Sequence, residues 1–127
     1  MSLDRLRAEI ERFTVGPYLL TVSENETPHC VAVNVSWIDE ELVLGAGNHT
    51  RDNAAARPGV SLLWPPATPG EYSLIVDAAV TSTRGTGQGD NEITLRPTRA
   101  VLHRPAVAGE PAPATACGAD CIPVLRT

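Results

Sequence analysis

Short apolar segments with a two-residue repeat recur through most of this chain, and they constrain its fold more than any other feature. In HCVAVNVSW, residues 29–37, three valines and Trp37 alternate with smaller or polar side chains. EYSLIVDAAVTST, residues 71–83, repeats the pattern. Such alternation is typical of a strand with one buried and one exposed face. The chain is therefore predicted to be mainly β.

Six strands are predicted, separated by turn residues such as ENETP and PPATPG. They comprise residues 17–23, 29–37, 41–46, 59–64, 71–83 and 92–105. The last strand is expected to bend at Pro97, because proline cannot donate to a sheet ladder. Six antiparallel strands with few helices favour a β-barrel or a sandwich over a parallel sheet.

Two helices accompany the predicted strands. Apolar residues recur at helical spacing in residues 2–13, and Ser2 is suited to cap this helix. A short helix is predicted for residues 50–57, between the third and fourth strands, with Thr50 as its N-cap.

The composition excludes several classes of function. A chain of 127 residues with a net charge of -5 is the size of one domain and does not favour nucleic acid as a partner. All ten basic residues are arginine, so a lysine Schiff base is excluded. No apolar stretch is long enough for a membrane span, and the charged N-terminus lacks the apolar core of a signal peptide. We therefore expect a cytoplasmic protein.

Residues 105–127 form an Ala- and Pro-rich tail, which we separate from a domain over residues 1–104. The tail is expected to be a disordered appendage or an extended arm on a neighbouring subunit. Its Cys117 and Cys121 could form a disulfide or remain thiols. A structural zinc site is the less favoured alternative, because no second cysteine pair is present.

The segment GAGNHTRDN, residues 45–53, is the strongest candidate for a binding site. Its glycines allow close approach of the backbone to a ligand, and a following helix N-terminus favours anions. Thr50 and Arg51 add a hydroxyl and a charged fork that suits phosphate. The P-loop is excluded by the lack of lysine, and the dinucleotide fingerprint fails at Thr50. An ordinary turn followed by a helix cap remains the alternative, and so does an exposed, non-binding role for His49.

The order of these segments resembles the flavin-binding split-barrel proteins related to pyridoxamine 5'-phosphate oxidase. The resemblance covers about residues 5–103 and rests on PHCVAVNVSW, GAGNHTRDNAAARPGVSLLW and YSLIVDAAVT in that order. It implies a six-stranded antiparallel split β-barrel that acts as a homodimer. The cofactor would be FMN, or a deazaflavin in some branches, in a groove between the subunits.

The resemblance also implies a phosphate site at the corner. Thr50 and Arg51 would bind the cofactor phosphate, and Ala46 and Gly47 would border it. The family has a lysine after this Ser/Thr-Arg pair, whereas this chain has Asp52, which reverses the charge.

The ring of the cofactor would lie elsewhere along the same groove. Val33, Asn34 and Val35 would follow its edge through main chain and the Asn34 amide, and Trp64 would lie near the ring or the interface. Core or interface packing of Trp64 is the simpler interpretation. A glycine typical of the family's long strand is Ala78 here.

Two functions follow from this resemblance. The first is a small FMN- or deazaflavin-dependent oxidoreductase, for which no catalytic residue or metal site is identified. The second is a non-catalytic carrier of flavin or another ligand. Oxidase activity on pyridoxamine phosphate is not expected, because the residues that hold pyridoxal phosphate have no match, and no other substrate is indicated.

Overall fold

A computed structural model describes residues 3–105 and 120–126, which form two helices and eight strands. The elements are α1 (Leu3–Glu11), β1 (Tyr18–Val22), β2 (Pro28–Ala32), β3 (Val35–Ile38), β4 (Glu41–Ala46), α2 (Asn48–Ala56), β5 (Gly59–Trp64), β6 (Ser73–Arg84), β7 (Asn91–Arg104) and β8 (Asp120–Arg126). Ser2, expected to cap the first helix, lies outside the described residues. Neither helix in the described part of the chain is long and apolar enough to cross a membrane.

The mainly β, antiparallel architecture is confirmed, but the count of six strands is wrong. The predicted second strand is divided into β2 and β3, because its two halves pair with different neighbours. The tail contributes β8, which pairs with β7 of the same chain. Alternation of side chains does not indicate where a strand changes partners, so the division was missed. β8 was missed because the Ala/Pro composition of the tail is not typical of a strand.

The strands form one antiparallel sheet in the order β2-β1-β5-β6-β7-β4-β3, with β8 added on β7. β2 and β3 are the two ends of this order, yet only Val33 and Asn34 separate them in the chain. Since three peptide steps span at most about 11 Å, the sheet must curl until its ends approach each other. The ladder is not closed between β2 and β3. The Val33 N–H instead donates to the Pro17 carbonyl at 3.1 Å.

β7 is long enough to pair with two strands on one side. Its first half pairs with β4 and its second half with β8, while β6 lies along the other side. The bend expected at Pro97 corresponds to a β-bulge, where the register with β6 shifts beside Ala78. The Thr98 hydroxyl donates to the Asp77 carbonyl there at 3.2 Å. Bulges of this kind bend strands and help a sheet to curl.

The core fills the inside of the curled sheet. Alternate residues of the central strands are buried, and Leu6 of α1 belongs to the same core with none of its surface exposed. Trp64 is only 2% exposed and belongs to this core. From the tail, Val124 and Leu125 are buried as deeply as the central strands. β8 is therefore part of the core.

Three side chains, here called the β8 clasp, hold the start of β8 against the sheet. The Tyr72 hydroxyl and Arg104 Nη2 both donate to Asp120 Oδ2, the latter at 2.6 Å. The guanidinium of Arg104 also lies over the Tyr72 ring, 4.8 Å from its centroid. The Tyr72 hydrogen bond, assisted by Arg104, lowers the pKa of Asp120, and the same bond raises the pKa of Tyr72.

Removing the buried side chain of Leu125 should destabilise the whole domain. Leu125→Ala is expected to lower the free energy of unfolding by about 2–5 kcal/mol, because a cavity replaces packed atoms. Ile38, which is 58% exposed, provides the control, and Ile38→Ala should change the free energy of unfolding by less than about 0.5 kcal/mol. Urea denaturation measures both, and equal losses would contradict a core role for β8.

The β8 clasp should make the thermal stability of the protein depend on pH in the acidic range. The pKa of Asp120 is lower in the folded chain than its ordinary value of 3.8. The ionised carboxylate therefore stabilises the fold above about pH 3.8, and this stabilisation is lost as the pH falls through the lowered pKa. Asp120→Asn should therefore flatten the decline of Tm between about pH 5 and about pH 2. Glu40→Gln, in an exposed turn, should leave the decline unchanged. A wild-type slope in Asp120→Asn would refute the role of the clasp.

Candidate functional site

The candidate corner lies where β4 passes into α2. Gly47 is the residue before the helix, in an extended conformation with φ -71° and ψ 172°, and no side chain caps the first turn. The predicted helix start at Thr50 is wrong, since α2 begins at Asn48. The error arises because Thr50 resembles a cap in sequence, whereas here it packs inward with 4% of its surface exposed. The amide groups of the first turn, which have no acceptor inside the helix, lie at this corner.

Thr50 and Arg51 make contacts in different directions. Thr50 Oγ1 lies 3.3 Å from His29 Nε2 of β2. Arg51 extends to the other side of the helix, where its Nη1 donates to Asn91 Oδ1 at 3.1 Å. Its Nε donates to Asp52 Oδ1 at 2.8 Å. Arg51 Nη2 forms no hydrogen bond with any residue in the described ranges, so this end of the guanidinium remains available.

The loop between β6 and β7 is held beside Arg51. The Asn48 amide donates to the Gly87 carbonyl at 2.6 Å, and its oxygen accepts from Gly89 N and from Asn91 Nδ2. Asn91 is 3% exposed, and its Nδ2 also contacts the Ala46 carbonyl at 3.2 Å. Gly85 is required at the start of the loop, because a Cβ there would overlap Asn91 and its φ is +141°. Asn91 therefore joins β4, α2 and the loop.

A second polar network anchors the opposite side of α2. Asn53 is 3% exposed and donates to Thr21 Oγ1 at 3.1 Å and to Ser23 Oγ at 3.4 Å. The Arg57 Nη2 group donates to Asn53 Oδ1 at 3.5 Å. Beside this network, the β1–β2 turn and α2 enclose a groove of about 990 Å³.

The groove contains a histidine pair that sequence reasoning missed. The rings of His29 and His49 stack with their centroids 4.5 Å apart and their planes at 29°. His49 Nε2 also lies 3.4 Å from Ser23 Oγ. The two residues are distant in the sequence, so only the packing of α2 on β2 brings them together. Asn53 and Asn91 were also missed, because an asparagine carries no signal of burial.

The remaining predicted site residues occupy three places. Val33 and Asn34 form the link between β2 and β3, and Val35 begins β3, with Asn34 exposed and both valines half-buried. Ala46 ends β4 beside the corner. Trp64 points into the core and is separated from solvent by packed side chains.

No group of three or more His, Cys, Asp or Glu side chains is placed to hold a metal ion within residues 3–105 and 120–126. Cys117 lies outside the described residues. Cys121 lies opposite His103 in the β7–β8 ladder, and Cys30 is an exposed thiol without a disulfide.

Comparison with known proteins identifies relatives in mycobacteria. An uncharacterized protein of Mycobacterium bovis and one of Mycobacterium tuberculosis are each 35% identical to this chain. Each alignment covers 96% of this chain and 93% of the relative. No protein-family model matches the chain.

Solved structures share the fold at low sequence identity. A putative pyridoxamine 5'-phosphate oxidase from Listeria innocua has a TM-score of 0.62 and 16% identity, over 78% of this chain and 95% of that one. An F420 reductase has a TM-score of 0.57 and 19% identity, over 68% and 88% of the two chains. HutZ, a heme storage protein of Vibrio cholerae, has a TM-score of 0.58 and 18% identity, over 76% and 91%. These likenesses confirm the split-barrel fold of pyridoxamine 5'-phosphate oxidase-like proteins.

Loss of Asn91 should loosen the corner. Asn91→Ala leaves Arg51 Nη1 and the Ala46 carbonyl without this partner, so we expect the free energy of unfolding to fall by about 1–3 kcal/mol. The exposed Asn34 is the matched control, and Asn34→Ala should change stability by less than about 0.5 kcal/mol. Chemical denaturation compares the two, and an Asn91→Ala variant as stable as the control would show that the junction is dispensable.

Proposed function

This chain belongs to the same family as the two mycobacterial proteins, and from its fold and corner we propose that it is a small FMN- or deazaflavin-binding oxidoreductase. The observation that carries the proposal is the corner at the start of α2, where uncapped amides and Arg51 lie together. The F420 reductase and the putative pyridoxamine 5'-phosphate oxidase with the same fold support this choice of cofactor class. The activity and its substrate remain part of the proposal.

The corner fits a phosphate group. Arg51 Nη2 is available, and Asn91 and Asp52 hold the rest of the guanidinium in a fixed direction. The uncapped first turn of α2 supplies amide donors and the positive end of the helix dipole. Asp52 opposes the site with its charge, but its carboxylate is engaged by Arg51 Nε at 2.8 Å and its side chain is 67% exposed.

The rest of the cofactor would extend towards the link between β2 and β3. There the exposed Asn34 amide and the main chain of Val33 and Val35 would bind the ring edge, and Ala46 and Gly47 would border the phosphate. Trp64 does not fit a contact with the ring in this chain, because it is buried in the core. When bound, the flavin supplies hydride or electron transfer, and the protein contributes position, hydrogen bonds and exclusion of water.

The outer face of the sheet supports a homodimer. Tyr18, which is 40% exposed, lies opposite Leu63 in the β1–β5 ladder, and Leu63 lies opposite the half-buried Ile75 in the next ladder. This row places apolar side chains side by side on the surface of one subunit. A second copy would cover them and would complete a groove for the cofactor between the subunits.

The alternative function is a non-catalytic carrier of flavin or another ligand. The heme storage protein with the same fold favours it, as does the acidic Asp52 in the corner. A bound flavin that neither a nicotinamide, a deazaflavin nor oxygen can reduce or reoxidise would establish the carrier. We place either function in the cytoplasm, in keeping with the exposed thiol of Cys30.

Arg51 should control the affinity for the cofactor. Arg51→Ala is expected to weaken FMN binding by about 1–3 kcal/mol, which is roughly 5- to 150-fold, because a charged hydrogen bond to phosphate is lost. Arg12, whose side chain is 74% exposed just after α1, provides the control, and Arg12→Ala should bind FMN as the wild type does. Absorbance titration between about 350 and about 480 nm measures binding.

The oxidoreductase proposal has two clear counter-outcomes. Absence of binding to both FMN and the deazaflavin at micromolar concentration would refute it. A monomer by light scattering would also contradict it, because the proposed groove needs two subunits.

A further inference from the structure

The groove between the β1–β2 turn and α2 contains basic groups that the flavin proposal does not use. Arg51 does not line this groove, which opens beside the other side of α2. His29 reaches it from β2, His49 from the first turn of α2, and Arg57 from just beyond the last turn. Three residues with basic nitrogen groups from three parts of the chain therefore face one cavity.

Arg57 is positioned without its charge being balanced. Its Nε donates to the Val22 carbonyl at 2.6 Å, and its Nη2 contacts Asn53 Oδ1. Both acceptors are neutral, and no carboxylate of the described residues forms an ion pair with it. A guanidinium oriented in this way keeps donors and full charge for a planar oxyanion.

The stacked histidines make the charge of the groove variable. Imidazole is the side chain that gains or loses a proton between about pH 5 and about pH 8. The two rings lie 4.5 Å apart, so one anion can lie beside both of them. Because an anion attracts the protonated form of an imidazole, anion binding is expected to be stronger at lower pH.

Two acidic residues also line the groove. They are Glu24, in the exposed β1–β2 turn, and Asp52, on α2. Asp52 already pairs with Arg51. Glu24 is therefore the one acidic residue of the lining that has no ion pair with a described residue. The basic residues of the lining are Arg57 and the two histidines.

We infer that this groove binds an oxyanion, the phosphate or carboxylate group of a small molecule, through Arg57 and the stacked His29 and His49. The hydroxyls of Ser23 and Thr27 line the same groove and add donors. The anion has two possible sources, the phosphate of the flavin itself or a separate small molecule. The inference does not require that flavin binds.

Sulfate is the appropriate probe, because its charge does not change between about pH 5 and about pH 8 and any pH dependence then belongs to the protein. In the wild-type protein, sulfate should shift the ring-proton resonances of His29 and His49 saturably, while His103 on β7 stays unchanged. Sodium chloride at equal ionic strength should produce no such shift. Affinity should rise from about pH 8 to about pH 6, because a protonated imidazole attracts the anion. Loss of saturation, or an equal response of His103, would overturn the inference.

Variants test the role of the arginine. Arg57→Gln should weaken sulfate binding at least about tenfold, Arg57→Lys should weaken it less, and Arg12→Gln should have no effect. Unchanged affinity in Arg57→Gln would overturn the inference. The wild-type titration needs no variant, so the proposal remains testable even if a substitution at Arg57 unfolds the chain.

Competition identifies the source of the anion. If FMN displaces sulfate, the groove binds the flavin phosphate, and if sulfate binds equally with and without FMN, the ligand is a separate small anion. A protein that binds sulfate as expected but does not bind flavin would refute the proposed oxidoreductase and support the anion site. A protein that binds flavin without a saturable response of His29 and His49 to sulfate would refute the anion site and support the proposed oxidoreductase.

Discussion

The burial of one apolar face inside a curled antiparallel sheet is the constraint on which the rest of this structure depends. The two end strands, β2 and β3, are joined through only Val33 and Asn34, so the two ends of the sheet must stay close together. The sheet therefore cannot flatten, and its apolar face stays buried inside the curl. Curling also leaves part of the edge of β7 unpaired beyond β4. β8 occupies that edge and inserts Val124 and Leu125 into the core.

The position of α2 follows from the same geometry. A helix that crosses from β4 to β5 must lie against the sheet. Here two of its three buried side chains, Thr50 and Asn53, are polar and lie within hydrogen-bonding distance of β2 and β1, while Ala54 packs in the core. Polar anchoring fixes direction more strictly than apolar packing, since each donor needs a placed acceptor. It gives the helix two polar sides, one with Arg51 and one with the histidine pair.

Much of the fold was predictable from local patterns, and the errors have identifiable physical causes. The period of two located the strands well because a strand with one buried face repeats its burial at every second residue. The division of residues 29–37 into two strands was missed because alternation continues unbroken through Val33, which packs partly against the core in either case. The helix start was misplaced because a threonine that packs inward and one that caps a helix look alike in sequence.

The sequence by itself determined the strand alternation and the lack of lysine, which leaves arginine as the permanently charged side chain for an anion site. It also placed Thr50 and Arg51 at a strand-to-helix corner, since that depends on residues adjacent in the chain. Only the tertiary structure decided that their side chains diverge, that Trp64 belongs to the core, and that His29 stacks on His49. These outcomes depend on which strand neighbours which helix, and that is set by the curl of the whole sheet rather than by any short segment.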